Sequence, residues 1–157
     1  MSRSNSFRKA ATSRKPRTWL ILGAAVATMW FAAAGAAAWQ EKTVWDGVYT
    51  DAQAKRGAGL YKEKCARCHA DEMTGNGEAS PLVGSEFSSN WNGLSLDALF
   101  TKIIVGMPED AKGTLSRQQT ADLLAAMFAT AEMPSGKTEL ATAADQLKLI
   151  KYAGTKP

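Results

Sequence analysis

The chain has two cysteines and one histidine, and all three fall within five residues, Cys65-Ala66-Arg67-Cys68-His69. Two thiols three positions apart, with an imidazole directly after the second, form the attachment pattern of c-type haem. Each thiol can add across one vinyl group of a porphyrin, and the imidazole can bind the iron. A helix leading into the segment would hold both sulfurs near one face. Other fates for these groups are less well supported by the residues. A zinc site needs further ligands of Cys, His or carboxylate type, and the chain has no other Cys or His. A thioredoxin-like dithiol needs a βαβ setting, and no strand pattern surrounds the motif. A Cys65–Cys68 disulfide stays open in an exported protein.

Iron bound by histidine on one side takes methionine, histidine or water on the other. A second histidine is absent, so methionine is the side chain to consider, and Met73, Met107, Met127 and Met133 follow the motif. Met73 is only four residues past His69, too close in sequence to reach the opposite face of a macrocycle easily. Met127 falls within a helical apolar pattern and reads as core filler. Met133 precedes Pro134 in the tail. Met107 sits in Val105-Gly106-Met107-Pro108, directly after a helix-ending glycine. A thioether opposite histidine raises the reduction potential and closes the sixth position, favouring electron transfer over oxygen chemistry. An open sixth position would instead suit a haem-based sensor or a peroxidase-like catalyst.

Three helices must position these groups. Thr50 with Gln53 forms a capping-box start, and the helix runs to about Lys64. Gly57, Tyr61 and Cys65 recur every four residues on one face, and a glycine there permits close approach of another helix. Ser95 caps a second helix, Leu96–Val105, with Leu96, Leu99, Phe100 and Ile103 at amphipathic spacing and Gly106 ending it. Ser116 and Gln119 form another capping box for Arg117–Thr130. Between the first two helices lies the turn-rich loop Asp71–Ser80, followed by Glu86–Gly93. There Phe87 reads as core, and Trp91 reads either as core or as an indole N–H donor to a haem propionate. After Pro134 and Gly136, a short helix starts near Thr142, ends near Lys151 and packs back through Leu147 and Ile150.

Gly57-x-x-x-Tyr61-x-x-x-Cys65-x-x-Cys68-His69 resembles the N-terminal helix and haem-binding motif of class I cytochromes c. The resemblance covers about residues 45–130. It implies an all-α cytochrome c fold, with three principal helices plus a short C-terminal helix around one covalent haem. It also implies thioether links at Cys65 and Cys68, with His69 as proximal ligand. Pro81-Leu82-Val83-Gly84 resembles the segment lining the proximal haem face, where the Pro81 carbonyl would accept the hydrogen bond of the ligating imidazole. The Gly106-Met107-Pro108 stretch resembles the family's methionine loop, implying Met107 as distal ligand. Ala121-Asp122-Leu123-Leu124-Ala125 resembles the C-terminal helix that crosses the first. The family often places an aromatic where this chain has Ala126, so Phe128 or Leu123 is expected to carry that contact.

The charge is unevenly spread. Residues 1–38 hold six basic residues and no acid, leaving 13 basic against 15 acidic residues in the remainder, a net −2. The basic pI of about 9.1 therefore belongs to the N-terminal segment, and the body has no basic stripe for nucleic acid. That segment reads as a secretory signal: a basic n-region to Arg17, the apolar stretch Trp19–Phe31, and an alanine-rich run supplying cleavage sites up to Ala38. With no adjacent arginine pair it suits the general secretion route. Uncleaved, it is long enough to serve as a membrane anchor. The expected organisation is a signal over 1–38, an irregular lead over 39–49, a cytochrome c domain over 50–131 and a tail over 132–157. No Ser/His/Asp arrangement, paired-carboxylate signature or phosphate loop points to an enzyme. The whole layout resembles small periplasmic cytochromes that accept electrons from quinoprotein dehydrogenases or feed terminal oxidases.

Overall fold

The computed structural model describes residues 42–157, so the signal reading of residues 1–38 lies outside the described residues. Strand β1 (Lys42–Thr43) leads into turns and then α1 (Asp51–Lys64) and the single turn α2 (Ala66–His69). A long loop follows, then α3 (Gly84–Trp91), α4 (Leu96–Gly106), a 3-10 turn at Glu109–Ala111 and α5 (Arg117–Thr130). The chain ends in α6 (Ala144–Lys148) and β2 (Ile150–Lys151). The fold is all-α, with one two-stranded ribbon in which β1 pairs parallel to β2.

Helix α5 is the centre. Its nine consecutive residues Thr120–Phe128 are all buried, and a helix covered on every side must sit inside the core. It starts with the full capping box: the Ser116 hydroxyl accepts from the Gln119 amide at 3.1 Å, and the Gln119 side chain accepts from the Ser116 amide at 2.9 Å. Helix α1 crosses it at Gly57, where an added Cβ would lie 1.7 Å from the Asp122 carbonyl oxygen and 3.1 Å from the Ala126 Cβ. The small residue at Ala126 is therefore part of the crossing itself. The sequence reading moved that contact to Phe128 or Leu123. Instead, backbone meets backbone here, and a bulky residue at 126 would hold the helices apart.

Gln53 departs from the capping-box expectation in the same way. Thr50 does cap α1, its hydroxyl accepting from the Gln53 amide at 3.2 Å. The Gln53 side chain points elsewhere: fully buried, it accepts from the Leu140 amide at 2.7 Å and donates to the Leu140 carbonyl at 3.3 Å. A primary amide presents a donor and an acceptor side by side, so it can stand in for a neighbouring strand.

The segment beyond 131 completes the core. Met133, Leu140, Leu147, Ile150 and Tyr152 are buried. Tyr49 donates to the Met133 carbonyl at 2.6 Å and Trp45 to the Ala153 carbonyl at 2.9 Å, tying lead to tail. Arg56 grips both oxygens of Asp122 and reaches Glu139 at 2.9 Å. The short helix is only Ala144–Lys148, because Ile150–Lys151 leaves it to pair with β1. Helix α3 was not anticipated: its eight residues are too few to show a period. Phe87 is its buried residue, as expected of a core side chain. Among the described residues no helix is long and apolar enough to cross a membrane.

Candidate haem site

Cys65 is where α1 stops and α2 begins. Its amide still donates to the Tyr61 carbonyl at 2.8 Å, but its φ of −123° and ψ of −36° leave the helix. Its own carbonyl then accepts from Cys68 at 3.1 Å and from His69 at 3.0 Å. The motif is thus a fresh helical turn, separated from α1 at Cys65, not a continuation of it. Both cysteines are free thiols, half-buried. Burial pushes the Cys65 thiol up to about 11, with Lys64 opposing the shift and Cys68 adding to it. Reactive dithiols have lowered thiol pKa values, so a redox dithiol does not suit this environment. Among the described residues no three His, Cys, Asp or Glu side chains gather to hold a bare metal ion.

The loop after the motif closes on itself. Tyr61 donates to the Ala70 carbonyl at 2.6 Å. Burial pushes its hydroxyl up to about 12, with Cys65, Asp71 and Glu72 adding to the shift. Gly75 donates to the His69 carbonyl at 3.0 Å, and Leu82 to the Met73 carbonyl at 2.8 Å. Asn76 donates to the Arg67 carbonyl at 3.2 Å and accepts from the Glu78 amide at 3.1 Å. This folding back brings the main chain before Pro81 to the imidazole, where His69 Nδ1 lies 2.8 Å from the Ser80 carbonyl oxygen.

A carbonyl only accepts, so Nδ1 carries the proton, and in the neutral ring Nε2 keeps a free lone pair. The resemblance gave this acceptor role to the Pro81 carbonyl, but the oxygen is that of Ser80, one peptide earlier. Proline restricts the residue before it to extended conformations, so Pro81 acts on the carbonyl that precedes it.

Met107 follows α4 directly. It takes an extended conformation, and its amide donates to the Ile103 carbonyl at 2.9 Å. Of the four methionines after the motif, Met73, Met127 and Met133 are 3%, 4% and 4% exposed and belong to the core. Met107 is half-buried. Trp91, the last residue of α3, is also half-buried, with its ring 6.0 Å from Phe87. Its indole N–H makes no hydrogen bond among the described residues. Leu60, Ala66, Leu82, Val83, Ile103 and Ile104 pack on the core yet remain partly open.

These observations suit an iron porphyrin. An imidazole with an oriented free nitrogen, two free thiols, a thioether and a fringe of half-covered apolar side chains match its donor and surface needs. Sequence reasoning missed Ser80, Asn76 and the ion pair of Arg67 with Asp110, which joins the motif to the loop after Met107 at 2.5 Å. Only Asn76, set between two glycines, carried a turn signal.

A family model described as cytochrome c oxidase, cbb3-type, subunit III matches residues 52–126. No curated protein and no solved structure gives a significant match. The matched span runs from the first turn of α1 to the middle of α5 and takes in the motif, the closing loop and Met107. Residues 52–126 are a cytochrome c domain of the class I c-type, a family whose work is haem-based electron transfer.

Proposed function

We propose that the protein is an exported, periplasmic one-electron carrier with one covalent haem c, held by Cys65 and Cys68 and ligated by His69 and Met107. The observation that carries this reading is the 2.8 Å contact of His69 Nδ1 with the Ser80 carbonyl. A ligand histidine characteristically donates its second N–H to a backbone carbonyl or carboxylate, which fixes tautomer and ring orientation. Bound haem supplies the ferrous–ferric couple. The chain's residues attach it, orient the imidazole and keep water away.

Attachment is an addition: the S–H of each cysteine adds across a vinyl C=C, the proton going to carbon, with no net oxidation. Half-buried Met107 is the methionine accessible for the sixth position. Trp91 has an unused indole N–H suited to a propionate, and Pro81 holds the Ser80 peptide extended. A closed six-coordinate site passes electrons without binding substrate, so we assign no enzymatic role. The partner is a redox protein, either a terminal oxidase assembly of the cbb3 kind or a periplasmic quinoprotein dehydrogenase. No nucleic acid is involved, and the membrane is involved only if residues 1–38 remain attached.

The test is the visible spectrum of the full chain matured with haem. Wild type shows a c-type reduced spectrum, a sulfur–iron band when oxidised, and haem that stays with the chain on a denaturing gel. Met107→Ala loses the sulfur–iron band and drops in potential. A variant spectrum identical to wild type removes Met107. An open sixth site in wild type selects the sensor or peroxidase-like reading instead.

A further inference from the structure

The loop after Met107 is weakly held. From Glu109 to Thr114 every residue is exposed. Its internal bonds are local, with Ala111 donating to the Pro108 carbonyl at 3.0 Å and Thr114 donating to the Ala111 carbonyl through its amide at 3.4 Å and its hydroxyl at 2.7 Å. Among the described residues it makes one polar contact distant in sequence: Arg67 Nη2 meets Asp110 Oδ2 at 2.5 Å. Arg67 stands between the two cysteines, and its own carbonyl is held by Asn76 at 3.2 Å. The far end of the tether is therefore fixed to the motif turn.

We propose that the Arg67–Asp110 pair is the clasp that keeps the Met107 loop closed over the haem, so that Arg67 and Asp110 are positioning residues for the sixth ligand. This rests on the assignment of Met107 above. Met107 and Asp110 are three residues apart across a proline and one short turn, so freeing Asp110 frees the segment carrying the thioether. Both side chains are well exposed, at 77% and 61%. An ion pair in such a setting is screened by salt and contributes modestly. The expected effect is therefore on how often the loop opens, not on whether the domain folds. A clasp of this strength fits a ligand that must stay bound yet leave room for the loop to yield when a partner docks.

The test uses oxidised full-length holoprotein with imidazole as the competing ligand. At low salt, Asp110→Asn and Arg67→Gln are each expected to bind imidazole about two- to fivefold more tightly than wild type. They should keep their reduced spectra and their unfolding midpoints. Wild type should converge on the variants as salt rises. The exchanged pair, Arg67→Asp with Asp110→Arg, should recover most of the wild-type affinity.

Asp110→Asn lies outside the motif and so leaves haem attachment intact even if Arg67→Gln matures poorly. Equal imidazole affinity in wild type and Asp110→Asn at low salt overturns the clasp, while loss of the sulfur–iron band in Met107→Ala still upholds the ligand. A Met107→Ala protein that keeps the band overturns both.

Discussion

The imidazole Nδ1 of His69 and the main-chain oxygen of Ser80 lie 2.8 Å apart, with Pro81 immediately beyond that oxygen. The bond sets the tautomer, and in the proposed haem complex, by drawing on the Nδ1 proton, it would make Nε2 a stronger donor to iron and favour the ferric state. Replacing proline removes the restriction on Ser80. Pro81→Ala is therefore expected to raise the reduction potential, by less than Met107→Ala lowers it, while keeping the sulfur–iron band. Equilibrium redox titration of the two variants beside wild type checks the sign and the order.

Gly57 has no room for a side chain. A methyl group there must push the α1 backbone away from Asp122, since a carbonyl oxygen would sit 1.7 Å from it. Overpacking against rigid backbone falls in the upper range of single-site costs, so Gly57→Ala is expected to lose roughly 3–5 kcal/mol. That corresponds to a fall in Tm of roughly 10–20 °C for a domain of this size. Gly59, whose Cβ meets nothing within 4 Å, is the control: Gly59→Ala should be neutral or stabilise slightly through helix propensity. Thermal unfolding of both variants distinguishes close approach from a general intolerance of change in α1.

Gln53 fastens the tail through both atoms of its amide. Truncation strands a buried donor and a buried acceptor on Leu140, each costing about 1–3 kcal/mol. Gln53→Ala should thus lose roughly 2–6 kcal/mol in denaturant unfolding. Amide exchange should speed up first around Leu140, before the α1–α5 crossing is affected.

The Tyr61 hydroxyl, raised to about 12 mainly by burial, gives a pH signature. An unfolded tyrosine ionises near 10, so between about pH 10 and 12 the unfolded chain releases a proton that the folded one keeps. Stability from this group is complete below pH 10 and is lost as pH rises toward 12. Tyr61→Phe, which lacks the Ala70 bond, should be less stable than wild type by about 1 kcal/mol at pH 8. The gap should close above pH 10. Denaturation midpoints measured from pH 8 to 11.5 test it; a gap that widens with pH contradicts the assignment.

The motif was legible in the sequence because it depends on residue type at short range. Cys65, Cys68 and His69 are fixed neighbours, and no other thiol or imidazole competes with them. The helices Asp51–Lys64, Leu96–Gly106 and Arg117–Thr130 were legible for the same reason, since Thr50 and Ser116 cap locally and apolar residues recur every turn. Long-range placement was not. Nothing in a linear pattern turns Gln53 toward Leu140, sets Arg67 against Asp110, or moves the imidazole's acceptor from Pro81 to Ser80. Those choices depend on how a loop closes, and loop closure is decided by which distant groups satisfy each other once water is excluded. Composition and spacing alone determined a c-type haem motif on a helical domain. The tertiary structure decided which carbonyl orients the histidine, which methionine is left accessible, and that the C-terminal segment is part of the core. The physical reason is that buried polar groups and close-packed backbones accept only partners brought together by the whole chain.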